Sequence, residues 1–337
     1  VEPVLWQPAP RPPVIPSPVA PGQPARVKMV DVYEGPGLAG VPRGTVKALR
    51  VFSYAFSYRG MGGQFDRVGL DGPWDVRRIL GTVPVAEDGS AYFEVPANTP
   101  VAFQPLDAQG RALQLMRSWI TVMPGELQSC SGCHEPQNAT AGRRARLTAL
   151  QRPPEPIRTW YGPARGFSFN REVQPVLNRL CVTCHDGKTP GRPDFTARAG
   201  KPFPPAYLAL RPFVRGHTIE SDMHLLTPCE FHASTCELVR LLGNGHHGVR
   251  PDAEAWDRLI TWIDLNTPAH GTWTEITGEA RVAPWAARRR ELNRRYAGVD
   301  DDPEDTALRT VSRDVAPRQG LPDSTSPAAP APASRPA

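Results

Sequence analysis

This 337-residue sequence has no long hydrophobic run: nowhere does it approach the ~18 unbroken apolar residues of a membrane-spanning helix, so no helical span is expected. It shows no repeat period in the range that builds solenoids. A charged leader with an apolar signal core is missing from its start, which is instead the proline-rich run VEPVLWQPAPRPPVIPSPVAPGQP. Such a run reads as an interdomain linker over residues 1–25, polyproline-like and without a core of its own. The chain is therefore expected to be the C-terminal part of a longer precursor whose export signal lies upstream. Charge of one sign is also slight. A formal net charge of +5 favours an acidic partner or anionic surface only weakly, because a modest arginine excess more often serves solvation. No nucleic-acid partner is expected. The apolar content is ordinary for a globular protein, and the length suits about two domains.

What is present divides into two patterns. From about Ala25 to Gln128 the period is two. Phe52, Tyr54, Phe56 and Tyr58 alternate with Val51, Ser53, Ala55 and Ser57, giving a strand with one aromatic face. Val83 and Val85 on one side and Ala91, Phe93 and Val95 on the other flank Asp88-Gly89, which predicts a hairpin. After a turn at Asp107–Gly110, LQLMRSWITVM predicts a further strand. Short strands at this spacing suggest a small β-sandwich whose last strand runs into the first cysteine motif.

From about Phe167 to Tyr296 the period is helical. Asn170 is placed to cap a helix through Leu180, with Val173, Val176 and Leu177 on one face. Ser234 and Glu237 predict a capping box, and Gly243 a helix stop. GNGHHGVRP follows as a tight loop. DAEAWDRLITWIDLN then carries Trp256, Leu259, Ile260 and Ile263 at helical spacing. The fold class expected is β + α: a β-sandwich-like part over residues 26–150 and a mainly α-helical part over 151–300. The acidic and Pro/Ala/Ser-rich stretch 301–337 is expected to be a disordered tail.

Four of the six cysteines lie in two pentapeptides, Cys130-Ser-Gly-Cys133-His134 and Cys181-Val-Thr-Cys184-His185. Two thiols about one turn apart can form thioethers with two vinyl groups, and the following histidine can reach the iron, so the pattern predicts covalent c-type haem attachment. Composition alone would yield such a match on the order of a few times in a thousand sequences of this kind, so two are not chance. Zinc ribbons also use paired CxxC units, but at a separation of ~15 to 20 residues, far shorter than here, and without a histidine directly after each pair. A dithiol-exchange CxxC is the other alternative, and it usually occurs once beside a βαβ pattern.

The surrounding sequence is longer and more specific. WDVRRILGTVPVAEDGSAYFEVPANTPVAFQPLDAQGRALQLMRSWITVMPGELQSCSGCHE resembles the middle domain of hydrazine synthase alpha subunits and of planctomycete-type cytochromes that share it. SFNREVQPVLNRLCVTCHDG, EFHASTCELVRLLGNGHHGV and AEAWDRLITWIDLNTPAHGTW resemble the C-terminal cytochrome domain of the same family, so the likeness runs over about residues 27 to 300. The resemblance implies a middle domain with one haem, a cytochrome c-like domain with a second, and a β-propeller preceding residue 1. It implies a periplasmic or other extracytoplasmic location and an unidentified redox partner protein. It does not imply hydrazine synthesis. In that branch a tyrosine four residues after the motif histidine holds the iron and the histidine passes to a zinc ion, whereas here the matching residue is Asn138.

The distal ligand of the second haem is expected from the loop before the last periodic helix, where His246 matches the family's histidine and His247 follows; His270 is the reserve. Near the first motif Met123 is the nearest strong candidate ligand, although Met123 and Trp119 read more naturally as packing against the ring. His217, His224 and His232 read as surface or hydrogen-bonding residues, and Cys229 and Cys236 as able either to pair or to remain thiols. Two functions follow: a dihaem electron carrier, or a redox enzyme acting on a small nitrogen or oxygen species at the Cys130/Cys133 haem, with Arg143, Arg144 and Arg146 as anion guides.

Overall fold

The computed structural model describes residues 22–62, 66–134, 146–214 and 224–305. The period-two segments form strands β1 (Ala25–Met29), β2 (Ala48–Ala55), β3 (Val76–Pro84), β4 (Ala91–Val95), β5 (Val101–Leu106), β6 (Leu127–Cys130) and β7 (Arg165–Gly166). They build a three-stranded sheet in the order β4-β1-β6 and a four-stranded sheet in the order β5-β2-β3-β7. Strand β1 pairs antiparallel with β4 and parallel with β6.

The four-stranded sheet is a middle layer. Leu49 and Val51 of β2 and Phe103 of β5 share a core with Val27 of β1 and Phe93 of β4. On the opposite face Phe52, Ile79 and Ala102 join a second core with Phe169, Leu259, Trp262 and Ile263 from the helical part. Both faces of β2 are therefore buried, with the register slipping between Val51 and Phe52. Each large apolar side chain so buried contributes about 1.5–3 kcal/mol.

Two expected strand features differ. The turn at Asp88-Gly89 forms, with Gly89 N donating to Ala86 O at 2.9 Å, but its flanks do not pair: β3 joins β2 and β7 while β4 joins β1. The predicted hairpin is a corner between sheets, because Val83 and Phe93 share the inter-sheet core rather than a ladder. LQLMRSWITVM makes only one isolated bridge, Val101 with Ile120, and Ala112 just before it bridges Leu106. Its backbone is diverted by Gln114, whose buried Nε2 donates to Gly37 O at 3.0 Å and to Leu226 O at 2.8 Å.

The helical part comprises α1 (Gln174–Leu180), α2 (Pro205–Leu210), α3 (Glu237–Gly243), α4 (Ala253–Asp264), α5 (Trp273–Thr277) and α6 (Glu279–Leu292). The periodic helix is α4. Asp252 caps it by accepting from Ala255 N at 2.8 Å, and Leu259, Ile260 and Ile263 are buried. The other two caps do not form. Asn170 lies inside a wide turn over Phe169–Val173 that precedes α1, and α3 starts after Cys236 with no side-chain cap, Ser234 belonging to a separate turn.

Helical part and sheet are joined through buried polar groups. Arg50 of β2 donates to Gln104 Oε1 at 2.6 Å and to Thr261 Oγ1 of α4 at 2.9 Å. Asp264 accepts from Ala112 N at 2.7 Å and Ala233 N at 2.8 Å, and lies 4.0 Å from Arg50. Gln104 Nε2 donates to Asp264 O at 2.7 Å. The stretch expected to lack structure from residue 301 is held at its start: Asp301 pairs with Arg78, and Glu304 accepts from Tyr58 OH at 3.2 Å and Thr274 N at 2.9 Å. Residues 306–337 lie outside the described ones.

Candidate functional site

The first motif is delivered by a strand. β6 ends at Cys130, directly opposite Met29 in the parallel ladder, and the pairing continues as Val30 N donates to Cys130 O at 2.9 Å and Asp31 N to Ser131 O at 3.0 Å. A glycine-rich loop then closes on the motif, with Gly37 N donating to Cys133 O at 3.2 Å. The fit leaves no room for side chains. A Cβ on Gly37 would stand 2.7 Å from Cys133 Sγ, and one on Gly132 would stand 2.2 Å from Glu34 O. Burial pushes the Cys133 thiol up to about 11.

A cavity of about 750 Å³ opens at this motif, within the ~300–1,000 Å³ range of cofactor sites. Cys130, Cys133 and His134 line it together with apolar side chains that include Leu115, Phe103 and Leu226. The donor set suits a covalently held haem: two thiols, one imidazole and an apolar wall. Met123 and Trp119 do not line it. Met123 is 41% exposed, and Trp119 packs on Tyr54 and Phe56 at 5.7 and 4.8 Å between ring centroids. The methionines that do line it are Met29 and Met116. Sequence reading missed Met116 because it placed that segment in a regular strand, and missed the gripping loop although Gly35-Pro36-Gly37 was a visible turn signal.

The second motif is delivered by a helix end. Cys181 N donates to Leu177 O at 2.8 Å, and His185 N donates to Cys181 O at 3.0 Å. His185 Nδ1 lies 3.1 Å from Pro193 O. A proton on Nδ1 satisfies that carbonyl and leaves Nε2 with its lone pair, the arrangement of a metal-ligating histidine oriented by a backbone acceptor. Phe195 packs on the ring at 4.7 Å. The His246 ring lies 6.2 Å from that of His185 with planes 25° apart. A separation of about 6 Å suits two imidazoles sharing one metal ion, each nitrogen about 2 Å from it. Burial and the neighbouring His247 and His185 hold His246 below the usual imidazole range. Burial, with Cys184 beside it, pushes the Cys181 thiol up to about 11.

Other expectations resolve individually. His270 is engaged elsewhere, with Nε2 2.9 Å from Pro202 O and Nδ1 3.9 Å from Glu275. His232 is buried rather than exposed. Arg117, which lines the cavity, donates to the His224 carbonyl at 2.6 Å. Cys229 and Cys236 are not bridged, and Cys236 Sγ donates to Phe213 O at 3.5 Å. Arg146 is exposed, while Asn138, Arg143, Arg144 and His217 lie outside the described residues. Among the described residues no group of three or more His, Cys, Asp or Glu side chains could hold a metal ion, and none is long and apolar enough as a helix to cross a membrane.

Residues 44–135 match the family model described as the hydrazine synthase alpha subunit middle domain. No curated protein matches the chain. Among solved structures, Kuenenia stuttgartiensis hydrazine synthase superposes with a TM-score of 0.54 at 17% identity, over 73% of this chain. That likeness is one of fold, and this chain corresponds to 43% of the length of that one. The similarity to a hydrazine synthase alpha-like family thus rests on the middle-domain sequence over residues 44–135 and on a mixed β and α fold shared over most of the chain.

Proposed function

We propose that the chain is a dihaem c-type cytochrome module that passes electrons in the periplasm or another extracytoplasmic compartment. The observation that carries this reading is the pair His185 and His246, 6.2 Å apart beside a CxxCH motif, with His185 Nδ1 committed to Pro193 O. Bound haem supplies reversible one-electron chemistry. The residues of the chain anchor, orient and seal. Cys130 and Cys133, and Cys181 and Cys184, are the thioether anchors. Pro193 fixes the tautomer and plane of His185, and His185 and His246 would together hold the iron, leaving small molecules no ligand position there. At the first motif His134 would hold the iron, and the apolar cavity wall would keep water from it. The two sheets are read as a small β-sandwich carrying the first haem, and the helical part as a cytochrome c-like domain. A β-propeller upstream and an unidentified redox protein complete the proposed assembly.

One observation favours a second reading, an enzyme acting on a small nitrogen or oxygen species. His134 is the only imidazole lining the first cavity among the described residues, whereas the second motif has His246 beside its His185. The reading is tested on the full chain matured in a host that attaches haem c. The expected product carries two haems that survive acid-acetone extraction and give a c-type pyridine haemochrome. An intact mass without added haem, or zinc in place of iron, overturns it.

A further inference from the structure

We infer that Met116 is the sixth iron ligand of the Cys130/Cys133 haem, which makes this haem the high-potential centre of the pair. The inference rests on the haem reading above. Among the described residues, and apart from the two anchoring cysteines and His134, the side chains lining the cavity that bond iron well are the thioethers of Met29 and Met116.

Their positions differ. Met29 stands directly opposite Cys130 in the β1–β6 ladder and is sealed in the core between the sheets. It is a packing residue at the edge where the thioether forms. Met116 sits on a separate wall, the segment Gln114–Ser118, is half-buried, and touches both hydrophobic cores. That wall is fixed from several directions. Gln114 is tied to Gly37 and Leu226, Arg117 to the His224 carbonyl, and the Met116 carbonyl itself accepts from Tyr54 OH at 3.5 Å. A flexible, polarizable thioether on a rigid support is a preorganised soft ligand.

The two centres then have different ligand pairs, histidine with methionine at the first motif and two histidines at the second. Methionine opposite histidine raises the reduction potential of a c-type haem. Electrons arriving at the Cys181/Cys184 centre therefore settle at the Cys130/Cys133 centre.

The test uses the haem-loaded full chain, with near-infrared magnetic circular dichroism and redox titration as readouts. Wild-type protein should show one thioether-to-iron band and one bis-imidazole signature, with the thioether centre at the higher potential. Met116→Ala should remove the thioether band, turn that centre high-spin and let the reduced protein bind CO at one equivalent, while Met29→Ala keeps the band. Met116→His should restore a low-spin centre at lowered potential. Retention of the band in Met116→Ala overturns the inference, as does a wild-type first haem that is open or bis-imidazole. Failure of the haem reading looks different: Cys130→Ala/Cys133→Ala would then leave the covalent haem mass unchanged.

Discussion

Asp264 offers the sharpest test of how the helical part is held to the sheet. Its side chain is 1% exposed or less, accepts from Ala112 N and Ala233 N at 2.7 and 2.8 Å, and lies 4.0 Å from the buried Arg50. Asp264→Ala strands two backbone donors and removes the counter-charge of a guanidinium in the interior. Each unsatisfied buried donor costs about 1–3 kcal/mol, and breaking a buried ion pair by removing one partner costs about 3–5 kcal/mol. These contributions overlap, so a total of about 4–5 kcal/mol is expected. Asp264→Asn keeps one acceptor and should cost about half as much. In thermal unfolding each kcal/mol moves the midpoint by roughly 2–4 °C for a chain of 150–250 residues, and somewhat less here. Asp300→Ala, which breaks an exposed pair with Arg290, serves as the control and should leave the midpoint close to that of the wild type. A loss below ~1 kcal/mol for Asp264→Ala would refute the claim that this network joins the two layers.

Other perturbations are expected to act locally. His246→Ala should convert the Cys181/Cys184 haem from low-spin to high-spin in the resonance Raman spectrum, whereas His270→Ala, whose ring is held by Pro202, should not. Gly132→Ala drives a Cβ against Glu34 O and should destabilise the fold by about 1–3 kcal/mol, read as a lowered unfolding midpoint. Burial raises the Asp88 carboxyl, but hydrogen bonds from Ser90 and Thr148 outweigh it and hold the group at about 2. Because this is below the unfolded value of about 3.9, its stabilisation is present above pH ~4 and lost as pH falls toward 2. Asp88→Asn should flatten that part of the stability–pH curve.

Much of this architecture was legible locally. CxxCH is a contiguous signal, and α4 announces itself by period and by its Asp252 cap. Pairing was not legible. Asp88-Gly89 correctly marked a turn, yet nothing in its flanks says that β4 prefers β1 to β3. Alternation in β2 marked an aromatic face and a small one, but not that the strand is buried on both sides in a middle layer. Ser234 and Glu237 have capping-box spacing, but the chain around Ser234 forms its own turn before Cys236. Met116 was hidden for a related reason: what makes it a cavity residue is Gln114, turned inward toward partners distant in the chain at Gly37 and Leu226.

The parallel pairing of β1 with β6 separates the unit of sequence likeness from the unit of folding. The matched stretch, residues 44–135, includes β4 and β6 but not β1, and β1 is the middle strand of that sheet. Cut out at its recognised borders, the stretch would leave β4 and β6 with no strand between them and Cys130 on a bare edge. Any inheritance or transplantation of the first motif as a portable piece must carry residues 25–29 with it.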